Sequence, residues 1–73
     1  MPHIDVQWFK GRDDETKKKV AEAIVETMIR ETGCQRSHLS VSFHDYDPAD
    51  WNEAIHDTVD PETVALGEVY KVE

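Results

Sequence analysis

Four histidines are the first side chains in this sequence that could take part in chemistry, because histidine is a frequent metal ligand and a frequent acid or base. They are His3, His38, His44 and His56. Their separations do not match the short ligand spacings of zinc sites. We therefore interpret them as solvated or hydrogen-bonded side chains and predict no metal site.

Two other candidate sites, a calcium-binding loop and a reactive cysteine, are not supported by the sequence. The run that begins at Asp45 starts like a calcium-binding loop, but Asp50 stands where that loop needs glycine and His56 where it needs glutamate. Cys34 is the only cysteine, and nothing in the sequence marks a base that would activate its thiol. It is interpreted as a packed small residue.

Three segments would position a site. Residues 2–9 and 39–45 alternate between apolar and polar side chains, as half-buried strands do, with Ser40 and His44 on one face of the second strand. Between them, residues 14–32 predict a helix, with Asp13 as its N-cap and Gly33 just past its end. Short connections in this order imply parallel strands. The sequence predicts an α+β fold, a single β-α-β unit plus a short C-terminal segment, in one domain covering residues 1–73.

The predicted sheet is incomplete by itself. Two parallel strands leave both edges unpaired, and the apolar stripe of the helix is broad enough to contact more than these strands. Asp50 or Asn52 is predicted to cap a short helical turn, and residues 68–72 are predicted to add an edge strand against a neighbouring subunit. We therefore expect a fold completed by oligomerisation, as a homo-oligomer.

Charge and hydropathy narrow the classes of partner. Sixteen acidic and 8 basic side chains give a formal net charge of −8, which repels nucleic acid and anionic membranes. The sequence contains neither an apolar run of membrane-spanning length nor the pattern of a signal peptide. We predict a soluble cytoplasmic protein with no nucleic-acid or membrane partner.

Proline directly after the initiator Met, Arg12 after Gly11 just before an acidic helix start, and Trp51 after the second strand occur together in this order. Over roughly the first 55 residues, this pattern resembles the 4-oxalocrotonate tautomerase family, whose members are small β-α-β enzymes. The resemblance implies a cofactor-independent enol–keto tautomerase, an isomerase, acting on a small 2-oxo or 2-hydroxy unsaturated carboxylate. It implies no metal and no organic cofactor.

The resemblance also implies residue roles. Pro2 would be the general base through its amine, exposed once Met1 is removed. Arg12 would hold a substrate carboxylate, which suits its planar, permanently charged guanidinium. Trp51 would form an apolar wall. An apolar pocket and a nearby Arg12 would lower the pKa of the Pro2 amine from about 8 towards neutrality.

Ser40 occupies the position where many members that act on dicarboxylates carry a second arginine. Its hydroxyl can bind a carbonyl or a water, so we assign it to substrate binding, but recognition of a second carboxylate is left open. The tail beyond Trp51 resembles the longer branch of the family, which favours a dimer over the hexamer of the shorter members.

The sequence leaves two alternatives open. Relatives of the family use the same proline as an acid in hydratase or dehalogenase reactions, for which its pKa would have to stay high. A non-catalytic acidic oligomeric module is the alternative from another class, because a retained Met1 would leave Pro2 without a free amine.

Overall fold

The computed structural model describes all residues from Met1 to Glu73 and contains two strands and two α-helices. Strand β1 covers His3–Phe9, helix α1 Asp14–Thr32, strand β2 Ser40–Tyr46 and helix α2 Pro48–Trp51. Single 3₁₀ turns lie at Arg36–His38 and Pro61–Thr63, and a π-helical turn at Asn52–His56 follows α2. The predicted β-α-β unit is confirmed.

The two strands pair in parallel, with His3 opposite Ser40 and Phe9 opposite Tyr46. Alternation gives the sheet two different faces. Apolar side chains such as Ile4, Val6 and Phe43 are half-buried on the face that carries α1. The opposite face is polar and largely exposed, so the period of two predicted from the sequence is the period observed.

Helix α1 has the predicted bounds because both of its ends are capped. The Asp13 carboxylate accepts a hydrogen bond from the backbone N–H of Thr16 at 2.8 Å. The side chain of Thr16 and then this backbone N–H lower the pKa of Asp13. Its stabilising effect is therefore present above the ordinary aspartate pKa and is lost as pH falls below it. At the other end, Gly33 has φ 73° and its N–H donates to the Ile29 carbonyl at 2.9 Å.

Replacing Gly33 by alanine is expected to lower the free energy of unfolding by about 1 kcal/mol, because a Cβ is strained in the left-handed region. Gly33→Asn is the matched variant, since asparagine tolerates this conformation better and should lose less. Urea denaturation of the three proteins checks the order glycine, asparagine, alanine. Equal urea midpoints for the alanine variant and the wild type would contradict the predicted backbone strain at position 33.

The start of β2 was predicted one residue too early. The N–H of Leu39 donates to the carbonyl of Arg36 at 3.1 Å, so Leu39 still belongs to the preceding turn. At the other end, the Tyr46 carbonyl accepts from the N–H of Lys10 at 2.9 Å, which extends the ladder by one residue.

The prediction of the N-cap in the C-terminal third was wrong, whereas the edge strand predicted against a neighbouring subunit stays a prediction. Helix α2 begins at Pro48, with Asp47 in the N-cap position rather than Asp50 or Asn52, because proline is preset for the first helical position. Residues 68–72 form no strand within the chain. Instead, the side-chain amide of Asn52 donates to the Val72 carbonyl at 2.7 Å and accepts from the Val72 N–H at 2.8 Å.

A single chain encloses very little core. Only Trp51 and Ile55 are buried, 2 of 73 residues. Helix α1 has no buried residue, and it exposes an apolar patch formed by Ala23, Ile24, Thr27 and Met28. Neither α-helix combines the length and the apolar composition that crossing a membrane requires.

Candidate active site

Pro2 and Ser40 lie at the same end of the sheet. The N–H of Ser40 donates to the Pro2 carbonyl at 3.3 Å, and Ser40 pairs in register with His3. Pro2 is half-buried, while the Met1 before it is 93% exposed. The parallel register therefore brings one predicted substrate-binding residue next to the predicted base.

Arg12 lies at the opposite end of β1. Its Nη1 donates to the Phe9 carbonyl at 2.8 Å, and its guanidinium carbon is 4.9 Å from the centroid of the Trp8 ring. A cation over an indole face is held by the ring quadrupole. These two contacts fix the guanidinium at the end of the strand although the residue is exposed.

The Asp45 carboxylate is close enough to Arg12 to be influenced by its charge, and it is already occupied by other donors. It accepts from Lys17 Nζ at 2.8 Å and from Trp8 Nε1 at 2.7 Å. The hydrogen bond from Lys17 is the largest cause of a lowered pKa for Asp45, with that from Trp8 next. Because Asp45 is held by these donors, Arg12 keeps hydrogen-bonding capacity for another carboxylate.

Trp51 is a core residue of the chain. It is 9% exposed, its ring meets those of Phe9 and Tyr46 edge-on at 5.1 and 6.1 Å, and its indole N–H donates to the Tyr70 carbonyl at 2.7 Å. The C-terminal tail thus lies against it. Its function as an apolar wall stays a prediction, and Phe9 and Tyr70 are aromatic neighbours that sequence reasoning did not include.

The four predicted site residues form two groups at opposite ends of the sheet, Pro2 with Ser40 at one end and Arg12 and Trp51 at the other. Within the second group, Arg12 lies over Trp8 on the face that carries α1, whereas Trp51 packs against Phe9 and Tyr46 on the opposite face. Strand β1 is 7 residues long, so a rise of about 3.3 Å per residue separates its ends by roughly 20 Å. Within one chain, Arg12 is therefore not near Pro2 and cannot lower the pKa of its amine. The expected effect of Arg12 on the pKa of the Pro2 amine therefore stays a prediction, for which the arginine would have to come from a second copy of the chain.

Lys10 does not provide free positive charge. Its ammonium forms an ion pair with Asp47, and this contact raises the pKa of Lys10.

No group of three or more His, Cys, Asp or Glu side chains is arranged to hold a metal ion.

Sequence reasoning also missed a connected polar network beside Pro2. It joins side chains of both strands on the face opposite α1: His3, Asp5, Ser40, Ser42 and His44. Positions 3, 5 and 7 of one strand and 40, 42 and 44 of the other are polar, and this alternation was the signal that could have found it.

The sequence of the chain matches the family model described as "Tautomerase enzyme" across residues 2–71. The chain belongs to the tautomerase family. The match extends beyond the first 55 residues on which the resemblance rested and includes the tail that packs on Trp51. Membership supports a tautomerase-type, isomerase activity.

Individual tautomerases agree with this assignment. A probable tautomerase, RSp1151 of Ralstonia nicotianae, is 37% identical over 51 residues, covering 70% of this chain and 78% of that protein. Tautomerase PptA of Pectobacterium atrosepticum is 35% identical over 60 residues, covering 81% and 79%. A structure from the 4-oxalocrotonate tautomerase isozymes of Methylibium petroleiphilum superposes with a TM-score of 0.65 at 26% identity, covering 68% and 81%.

Proposed function

We propose that this tautomerase interconverts the enol and keto forms of a small 2-oxo or 2-hydroxy unsaturated carboxylate without a cofactor, with the Pro2 amine as general base. The observation that carries the proposal is the position of Pro2, directly behind a 93% exposed Met1. An exposed initiator methionine is accessible to removal, which would leave a secondary amine at the start of a hydrogen-bonded strand.

The reaction moves one proton. The free amine of Pro2 takes the proton from the enol oxygen, the electron pair forms the carbonyl, and the resulting ammonium returns a proton to carbon. A positioned base of this kind contributes typically a factor of about 10² to 10⁴. Because the ring fixes the amine to the strand, its direction is set by the pairing of β1 with β2.

Arg12 is proposed to bind the substrate carboxylate through two parallel hydrogen bonds. Its contacts with Phe9 and the Trp8 ring support this role, because they hold the guanidinium before substrate arrives. Trp51 and the aromatic rings around it would exclude water at the same end of the sheet. Ser40 would contact the substrate from beside Pro2.

A second copy of the chain would bring these two groups together, and we propose a homodimer as the active form. In an antiparallel arrangement, the start of a strand in one copy lies beside the end of that strand in the other. A twofold axis would thus place Pro2 and Ser40 next to the partner copy's Arg12 and Trp51, twice per dimer. The near absence of a core in one chain supports association, although a hexamer built from such pairs is compatible with the same argument.

The proposal is tested by following ketonisation of phenylenolpyruvate, a monocarboxylate enol, on protein whose intact mass confirms loss of Met1. We expect a rate well above the uncatalysed one, falling as a group near neutral pH becomes protonated. Processed protein that gives no acceleration would point to a hydratase or dehalogenase reaction of the same proline, or to a non-catalytic module.

A further inference from the structure

Four aromatic rings, the aromatic cluster, cover the far end of the sheet on the face opposite α1. Phe9 and Tyr46 are the last residues of the two strands, Trp51 ends α2, and Tyr70 belongs to the tail. The Trp51 ring lies edge-on to Phe9 at 5.1 Å and to Tyr46 at 6.1 Å. The Tyr70 ring lies edge-on to Phe9 at 6.1 Å. Edge-on contacts at such distances are favourable, so the rings form one packed unit.

Trp51 and Tyr70 differ in accessibility within this cluster. Trp51 is 9% exposed, whereas Tyr70 is 63% exposed. The indole N–H of Trp51 donates to the Tyr70 carbonyl at 2.7 Å, and this N–H is the only polar group that an indole has. The tail therefore covers Trp51 and occupies its donor. A substrate that reaches this end of the sheet meets the Tyr70 ring before it meets the Trp51 ring.

Two side chains hold the tail in this position. No backbone–backbone hydrogen bond involves residues 65–73, and part of the tail borders a cavity of about 340 Å³ instead of packing on the chain. The side-chain amide of Asn52 binds the backbone of Val72 twice, at 2.7 and 2.8 Å. Together with the N–H of Trp51, this double contact fixes the backbone on both sides of the Tyr70 ring.

The faces of the sheet are consistent with a substrate contact at Tyr70. The Ser40 side chain, beside Pro2, belongs to the network on the face opposite α1, and the aromatic cluster is on that same face. A twofold axis perpendicular to the sheet keeps this face on one side in both copies. In the proposed dimer, Ser40 of one copy and Tyr70 of the other thus lie on the same side of the sheet.

We propose that Tyr70 is a specificity-determining residue of this tautomerase, whose exposed ring forms the apolar wall that contacts the substrate, and that Asn52 is a positioning residue that holds this ring through Val72. Trp51 then supports the wall from behind. The inference rests on the proposed function, because it places the substrate between Pro2 of one copy and the aromatic cluster of the other.

The experiment compares two monocarboxylate enols on protein lacking Met1. One is phenylenolpyruvate, and the other is 2-hydroxypenta-2,4-dienoate, which has a vinyl group in place of the phenyl ring. Both carry the same enol and the same carboxylate, so Pro2 and Arg12 act on both. The ratio of their kcat/KM values, phenyl over vinyl, therefore isolates the contact with the apolar end of the substrate.

Tyr70→Ala is expected to lower this ratio about fivefold to tenfold, because a phenyl group loses an aromatic partner that a vinyl group hardly uses. The loss should appear as a higher KM for phenylenolpyruvate, with kcat little changed. Tyr70→Phe keeps the ring and should keep the wild-type ratio. Leu66→Ala is the matched control, since Leu66 is 94% exposed in the same tail, and it should change neither substrate.

Asn52→Leu tests the positioning role, because leucine has a similar size but no amide to bind Val72. It should lower the ratio in the same direction as Tyr70→Ala. Added to Tyr70→Ala, it should cause no further fall in the ratio, since two residues that act through one contact are not additive. A further fall in the double variant, or an unchanged ratio in Asn52→Leu, would overturn the role of Asn52.

The outcomes separate the role of Tyr70 from the proposed function. If wild type converts both enols but Tyr70→Ala leaves the ratio unchanged, or lowers KM for phenylenolpyruvate by uncovering Trp51, Tyr70 is not the wall. An equal loss for both substrates, or the same loss in Leu66→Ala, would also overturn the inference, because it reports a general disturbance of the tail. Wild type that converts neither enol would refute the proposed function, and the role of Tyr70 with it.

Discussion

Replacing Pro2 by alanine is expected to lower kcat for enol–keto conversion of phenylenolpyruvate by about 10² to 10⁴, the usual contribution of a positioned general base. The amine of an N-terminal alanine is primary and rotates freely, so it loses the fixed direction that the proline ring gives. KM should change little, because Arg12 and Ser40 remain. Initial rates at saturating substrate, with the intact mass measured on the same samples, check this.

A companion variant keeps the proline ring but removes its free amine. Inserting one lysine between Met1 and Pro2 should prevent removal of Met1 and convert the Pro2 nitrogen into an amide, which has no lone pair available as a base. This variant should be less active than Pro2→Ala while its circular dichroism and melting temperature match the wild type. Full activity with Pro2 in amide linkage would eliminate the proposed base.

The β-α-β unit could be predicted because its signals are local. Alternation defined both strands, and Asp13 and Gly33 defined the ends of the helix through hydrogen bonds within a few residues. The C-terminal third could not be predicted in the same way. Its conformation depends on contacts between the Asn52 side chain and Val72 and between Trp51 and Tyr70, which are distant in sequence.

The candidate site was predictable in part for a related reason. Parallel pairing with the observed register puts Ser40 next to Pro2, a position that the sequence allowed but could not fix. The separation of Arg12 from Pro2 follows from the length of β1, because Pro2 precedes that strand and Arg12 follows it. The hydrogen bonds that join His3 to Ser40 and Ser42 could not be predicted, because they depend on side-chain positions.

Replacing Arg12 by alanine is expected to raise KM for phenylenolpyruvate about 10- to 100-fold, since a charged hydrogen bond contributes about 1.5–3 kcal/mol. The Pro2 base remains, so kcat should fall less. Arg12→Lys should recover part of the loss, because it keeps the charge but not the planar pair of donors. Arg36→Ala, in the exposed 3₁₀ turn, is the control for loss of one positive charge. An unchanged KM in Arg12→Ala would remove the guanidinium from substrate binding.

Mixing the Pro2→Ala and Arg12→Ala proteins tests whether each site is shared between copies. If Pro2 of one copy works with Arg12 of the other, a dimer of one Pro2→Ala and one Arg12→Ala chain contains one intact site and one doubly altered site. Random reassembly of an equal mixture from denaturant makes half of the dimers mixed. It should therefore restore about one quarter of the wild-type kcat/KM.

The same mixture has a different outcome if both residues act within one chain. Every site would then lack either the proline or the arginine, and activity would equal the average of the two variants. Because the sheet separates Pro2 from Arg12 by roughly 20 Å in a single chain, we expect recovery after reassembly and none when the folded variants are mixed without denaturant and do not exchange subunits.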